Sequence, residues 1–203
     1  MVQPLHRLPE TASQTAGPYV HIGLAPRMAG FDPCAGEPGG AIAGPAVPGA
    51  RIRVQGAVVD GAGARVRDAL IEVWQADAAG IYAHPLDPRA DRVAPGFRGW
   101  GRAPTDLTTG DFAFDTVKPG RAPGPDGALM APHLALWIVA RGINLGLHTR
   151  LYFADEVEAN AEDRVLRRCG PRAATLLAQP LGGGVYRFDI RLQGDGETVF
   201  LDV

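Results

Sequence analysis

The chain has 203 residues and a formal net charge of −2, long enough to bury one full core but without the basic surface a nucleic-acid partner requires. Its 27 glycines and 18 prolines are scattered rather than packed into one tract, which favours an all-β domain with many turns over a helical one. The two cysteines, Cys34 and Cys169, are too few for a disulfide framework or a four-ligand zinc site.

The opening MVQPLHRLPE holds no apolar run, so no secretory signal is expected and a cytoplasmic location is. TASQTAGPYV (Thr11–Val20) is polar and ends on a Gly-Pro turn signal. GEPGGAIAGPAVPGA (Gly36–Ala50) reads as surface connection. Residues 1–50 are therefore expected to form an N-terminal arm and loops, with Phe31–Ala50 ordered by a partner because it buries little by itself.

A single β-sandwich is expected over 51–203. RIRVQGAVVDGAGARVRDALIEVWQAD reads as two strands joined in a hairpin across DGAG. GDFAFDTVKPG alternates Phe112, Phe114 and Thr116 with Asp111, Ala113 and Asp115, then breaks at Pro119-Gly120. LALWIVARG and HTRLYFAD are two more strands, and GVYRFDIRLQGDGETVFLDV is a final hairpin across GDG. Two short helices fit: DEVEANAEDRVLRRCG, whose acidic start and basic end complement a helix dipole, and the proline-bounded PRAATLLAQP.

No complete catalytic set is visible. His133 has no histidine two, three or four residues away, and its same-face neighbour on a strand is Ala135, so a hydrogen-bonded structural histidine is the simpler reading. Tyr152 and Tyr186 sit in strands as core residues with polar tips. Ser13 is the lone serine and lies in no nucleophile motif. No glycine-rich loop leads into a helix carrying Lys-Ser or Lys-Thr.

Several stretches nevertheless resemble the intradiol ring-cleavage dioxygenases: PETASQTAGPYVHIGLA, DALIEVWQADAAGIY, VKPG, MAPHLALWIVARGINLGLHTRLYF and YRFDIRLQGDGETVFLDV. They span nearly the whole chain. The resemblance implies a β-sandwich with irregular arms and short helices. It also implies ferric iron held by two tyrosines and two histidines in the catalytic chains. At the matching positions this chain has His133 and Ala135 for the histidine pair, Ala122 two residues after KPG, and Arg89 near the remaining tyrosine. Met130 replaces an arginine three residues before His133. The two-chain members of the family are the better match, with this chain as the alpha partner that lost its metal.

The resemblance further implies an iron-bearing beta subunit, an αβ heterodimer repeated in a larger assembly, and protocatechuate (3,4-dihydroxybenzoate) and O2 as substrates in aromatic catabolism. It places Thr15, Gly17, Pro18 and Tyr19 in the wall of the beta chain's pocket. Arg141, just after LALWIVA, would steer or bind a benzoate carboxylate; a surface ion pair at a strand end is the competing role. Two other readings stay open: a homo-oligomeric enzyme using Tyr82, His84 and His133, and a non-enzymatic sandwich that binds a partner or carbohydrate.

Overall fold

The computed structural model describes residues 14–17, 19–32 and 39–202, so Pro18, Cys34 and the rest of the 33–38 segment lie outside the description. A short helix α1 (Val20–Leu24) precedes β1 (Arg51–Val59), β2 (Leu70–Trp74), β3 (Trp100–Pro104) and β4 (Asp111–Val117). Then come β5 (His133–Val139), β6 (Leu147–Phe153), helices α2 (Val157–Glu162) and α3 (Arg164–Cys169), β7 (Leu177–Gly182), β8 (Val185–Arg187) and β9 (Ile190–Arg191). Two 3-10 helices cover Ala90–Arg92 and Gly170–Leu176.

Strand order is β3-β2-β5-β6-β7-β8-β1-β4, with β9 also beside β1. The sheet closes over itself, and its two halves share one core. Ile52, Val54, Phe112 and Phe114 meet Ile71, Val73, Leu134, Leu136, Leu151 and Phe153. Period-two burial explains the pattern: on β5, Leu134, Leu136 and Ile138 face the core while Ala135, Trp137 and Val139 face outward, half-buried. The all-β architecture, the strands β5 and β6 and the alternation of β4 match the sequence expectation.

Four local expectations fail. The second short helix is only a 3-10 turn to Leu176, and from Leu177 the chain is strand β7, paired with β6 and β8. β1 and β2 are not a hairpin: β1 pairs with β4, β8 and β9, and β2 with β3 and β5. Each turns its apolar face to the shared core from opposite halves, and local alternation carries no information about which strand lies alongside. The expected helix over Asp155–Gly170 is split at Asp163, whose side chain caps α3 by accepting from the Val165 and Leu166 amides. After GDG no second strand forms; the chain instead reaches His148 through a bridge at Leu201.

The described part of the arm is not idle. Ile42, Ala43 and Val47 are buried, and Ala43 bridges Phe97. Apolar side chains spaced among glycines and prolines thus bury against the sandwich itself, not only against a partner. Among the described residues no helix is long and apolar enough to cross a membrane.

Candidate functional site

The first candidates lie where the arm meets the β5–β6 turn. The Gly142 amide donates to the Thr15 hydroxyl at 2.7 Å, and that hydroxyl also lies 3.5 Å from the Ala140 carbonyl oxygen. Gly142 sits at φ +82°, a turn conformation that suits glycine and aims its N–H at the arm. Thr15 and Arg141 are therefore neighbours. Arg141 is bound through Nε to Asp68, yet its side chain stays two-thirds exposed, at 67%.

Gly17 accepts from the Val20 amide at 3.1 Å, and a Cβ built there meets nothing within 4 Å. Tyr19 caps the start of α1 with its carbonyl and is 79% exposed. Ile22 and Phe31 on the arm and Leu145 in the β5–β6 turn are exposed as well.

The other candidates are Arg89, Ala122, His133 and Ala135, the positions that the resemblance matches to ligands. His133 is buried, and its Nδ1 donates to the Ala131 carbonyl at 2.8 Å. Its ring packs 5.5 Å from that of Tyr152. Burial, helped by the Arg150 charge, pushes the imidazole down to about 4, so it is neutral near pH 7. Ala135 stands two residues on along the same face. Ala122 is buried and accepts from the Met130 amide at 2.9 Å.

Arg89 grips Asp87 with Nε at 3.0 Å and a terminal nitrogen at 2.9 Å, and also donates to the Gly80 carbonyl. That grip holds the Asp87 carboxyl well below the usual carboxylate range. Gly80 has to be glycine: it sits at φ +74°, and a Cβ would fall 1.9 Å from the Arg121 carbonyl oxygen. Arg89 and Pro123 line one cleft with Trp74, Tyr82 and His84.

This donor set does not fit ferric iron. It offers one imidazole, two methyl groups and a guanidinium whose charge repels a cation. Among the described residues no group of three or more His, Cys, Asp or Glu side chains converges to hold a metal. The neighbouring tyrosines do not replace the missing phenolates. Tyr82 stacks on Trp74 with ring centroids 6.1 Å apart, and burial raises its phenol. Tyr152 is likewise raised by burial and donates to Asp163. His84 accepts the Leu86 amide at Nδ1.

The KPG motif has a structural task. Lys118 binds Asp155, Glu156 and the Tyr186 hydroxyl, and lies 5.0 Å over the Phe153 ring. Burial works to lower its ammonium, but these partners outweigh it and hold the charge. The Gly120 amide donates to the Asp77 carbonyl at 2.8 Å, which pins the motif to the segment after β2.

Sequence reasoning missed two polar residues here. Asp163 is buried and saturated: it accepts from the Ala131, Val165 and Leu166 amides and the Tyr152 hydroxyl. An aspartate just before RVLRR is an N-cap signal, and it was legible. Arg150 lies opposite Ala135 across β5 and β6, a relation that only strand register reveals.

A family profile described as Dioxygenase matches residues 41–194. The protocatechuate 3,4-dioxygenase alpha chain of Pseudomonas putida is 48% identical over 98% of this chain and 99% of its own. The beta chain of that enzyme from Burkholderia cepacia is 34% identical over 74% of this chain and 67% of its own. The solved dioxygenase domain of a dioxygenase–carbohydrate-binding fusion from Streptomyces sp. SirexAA-E has a TM-score of 0.54 at 26% identity, covering 78% of this chain and 87% of that one. The profile match over most of the chain and the alpha-chain relative matched over almost its full length show that the chain belongs to the intradiol ring-cleavage dioxygenase family.

Proposed function

We propose that this chain is the non-iron-binding alpha subunit of a protocatechuate 3,4-dioxygenase. It pairs with an iron-bearing beta subunit in an αβ heterodimer, repeated in a larger cytoplasmic assembly. The complex cleaves 3,4-dihydroxybenzoate between its hydroxylated carbons with O2, giving 3-carboxy-cis,cis-muconate with both oxygen atoms in the product. What supports this reading is the resemblance that matches Ala122, Ala135 and Arg89 to ligand positions, together with the commitment of Arg89 to Asp87.

The contribution of this chain is then positional. The Thr15 hydroxyl and Gly142 amide hold the arm against the β5–β6 turn. Thr15, Gly17 and Tyr19, with Pro18 between them, present a wall to the partner's pocket. Arg141 adds a positive charge at its rim, where it attracts the substrate carboxylate. The arm of 1–50 supplies the contact and the sandwich of 51–203 the platform.

The test is oxygen uptake with protocatechuate by the chain alone and by the chain co-expressed with a beta-type chain. Activity is expected only from the pair. Turnover by this chain alone, or a beta-type chain fully active without it, refutes the reading.

A further inference from the structure

One cavity outside the arm region borders a single one of the four ligand-matched positions, Ala135. It is about 330 Å³ in volume, and all three tryptophans of the chain, Trp74, Trp100 and Trp137, line it with Ala135, His148 and Arg150. Strand register builds the wall. Trp100 lies opposite Trp74, Trp74 opposite Ala135, and Ala135 opposite Arg150, so four residues on four strands form one outward row. Trp137 stands two residues beyond Ala135 and packs on Gly146, where a Cβ would fall 1.8 Å from the indole nitrogen.

The electrostatics of the row are unbalanced. Among the described residues, Glu72 is the one acidic side chain lining the cavity, and Arg102 already binds it at 2.7 Å while lying 5.0 Å over the Trp100 ring. Arg150 makes no ion pair with any described residue. One terminal nitrogen donates to the Met130 sulfur at 3.5 Å and the Tyr152 hydroxyl at 3.3 Å, both neutral. Its Nε and other terminal nitrogen donate to no described residue. Asp163, behind Tyr152, is spent on three amides and that hydroxyl.

A half-buried guanidinium with an open donor edge is matched in shape by a planar carboxylate, which it binds through two parallel N–H bonds. Indole walls suit a flat apolar ring, and the volume is in the range of small-molecule sites. The methyl of Ala135 leaves the floor between Trp74 and Arg150 clear. We infer that this cavity binds a planar aromatic monocarboxylate, its carboxylate on Arg150 and its ring among the tryptophans.

Benzoate is the probe, titrated into the full chain by calorimetry and by tryptophan emission. One saturable site is expected, with a dissociation constant below about 1 mM. Benzamide, the neutral isostere, and the Arg150→Gln variant each bind about tenfold more weakly or worse. Ala135→Leu fills the cavity without touching the charge and gives the same loss, which guards against misfolding of the arginine variant. No saturable binding, equal affinity for R150Q, or equal affinity for benzamide overturns the inference. In the complex with a beta-type chain, R150Q removes one benzoate site per pair. An unchanged number there means that a partner side chain fills the cavity, and that also overturns it.

Discussion

The Thr15 hydroxyl and the Gly142 amide, 127 residues apart, are joined by one hydrogen bond of 2.7 Å. Through it the N-terminal arm is fastened to the turn that carries Arg141. Two features that are remote in sequence thereby become one surface. Thr15→Val keeps the shape and removes the acceptor, at a cost of about 1 kcal/mol. Hydrogen exchange at the Gly142 amide should accelerate about fivefold, and the complex should lose catalytic efficiency while its bound iron is unchanged. Unaltered exchange at Gly142 would show that the bond does not hold the arm.

Arg141 is shared between Asp68 and solvent. A pair this exposed adds little stability, about 0.5 kcal/mol in a double-mutant cycle with Asp68→Asn. Its effect should fall on substrate capture. Arg141→Ala in the complex is expected to raise KM for protocatechuate several-fold with kcat nearly constant, and the difference should shrink at high salt. Steady-state kinetics at two ionic strengths read this directly; a kcat defect insensitive to salt would count against a steering role.

His133 makes stability depend on pH. Its folded value of about 4 lies below the 6.5 of a free imidazole, so the unfolded chain binds the proton more readily. The contribution is complete above pH 6.5, is lost as pH falls from 6.5 to about 4, and is flat below that. It amounts to about 3 kcal/mol at most. His133→Asn keeps a donor for the Ala131 carbonyl and removes the titration. Urea midpoints between pH 4 and 7 should slope less steeply for the variant than for the parent; parallel slopes would mean that the ring is not buried neutral.

Asp163 ties α3, the segment before β5 and Tyr152 together through a single buried carboxylate. Asp163→Ala leaves three amides and a hydroxyl without their acceptor, and should destabilise by about 3 kcal/mol or more. Thermal or urea unfolding measures it. A loss under about 1 kcal/mol would show that water replaces the carboxylate.

The strands of this molecule were legible because period-two burial is written directly in segments such as Asp111–Val117 and His133–Val139. Their partners were not. The alternation that identifies β1 and β2 is the same whether they pair with each other or, as they do, with β4 and β5. The assignment of Ala122, Ala135 and Arg89 to ligand positions came from the family resemblance, not from spacing. Arg150 and the tryptophan row were not legible, because Trp100, Trp74, Ala135 and Arg150 are scattered in sequence and become a line only through register. The buried Ile42 and Val47 show a further limit: a glycine- and proline-rich stretch hides its anchors among residues that signal only turns.

The central claim is that this chain gives shape but no metal ligand to an iron enzyme. Iron per αβ pair, measured by elemental analysis together with the visible phenolate-to-iron absorption, tests it most directly. The account gives one ferric ion per pair and none on this chain purified alone. Two ions per pair, or stoichiometric iron and colour on this chain by itself, would contradict it.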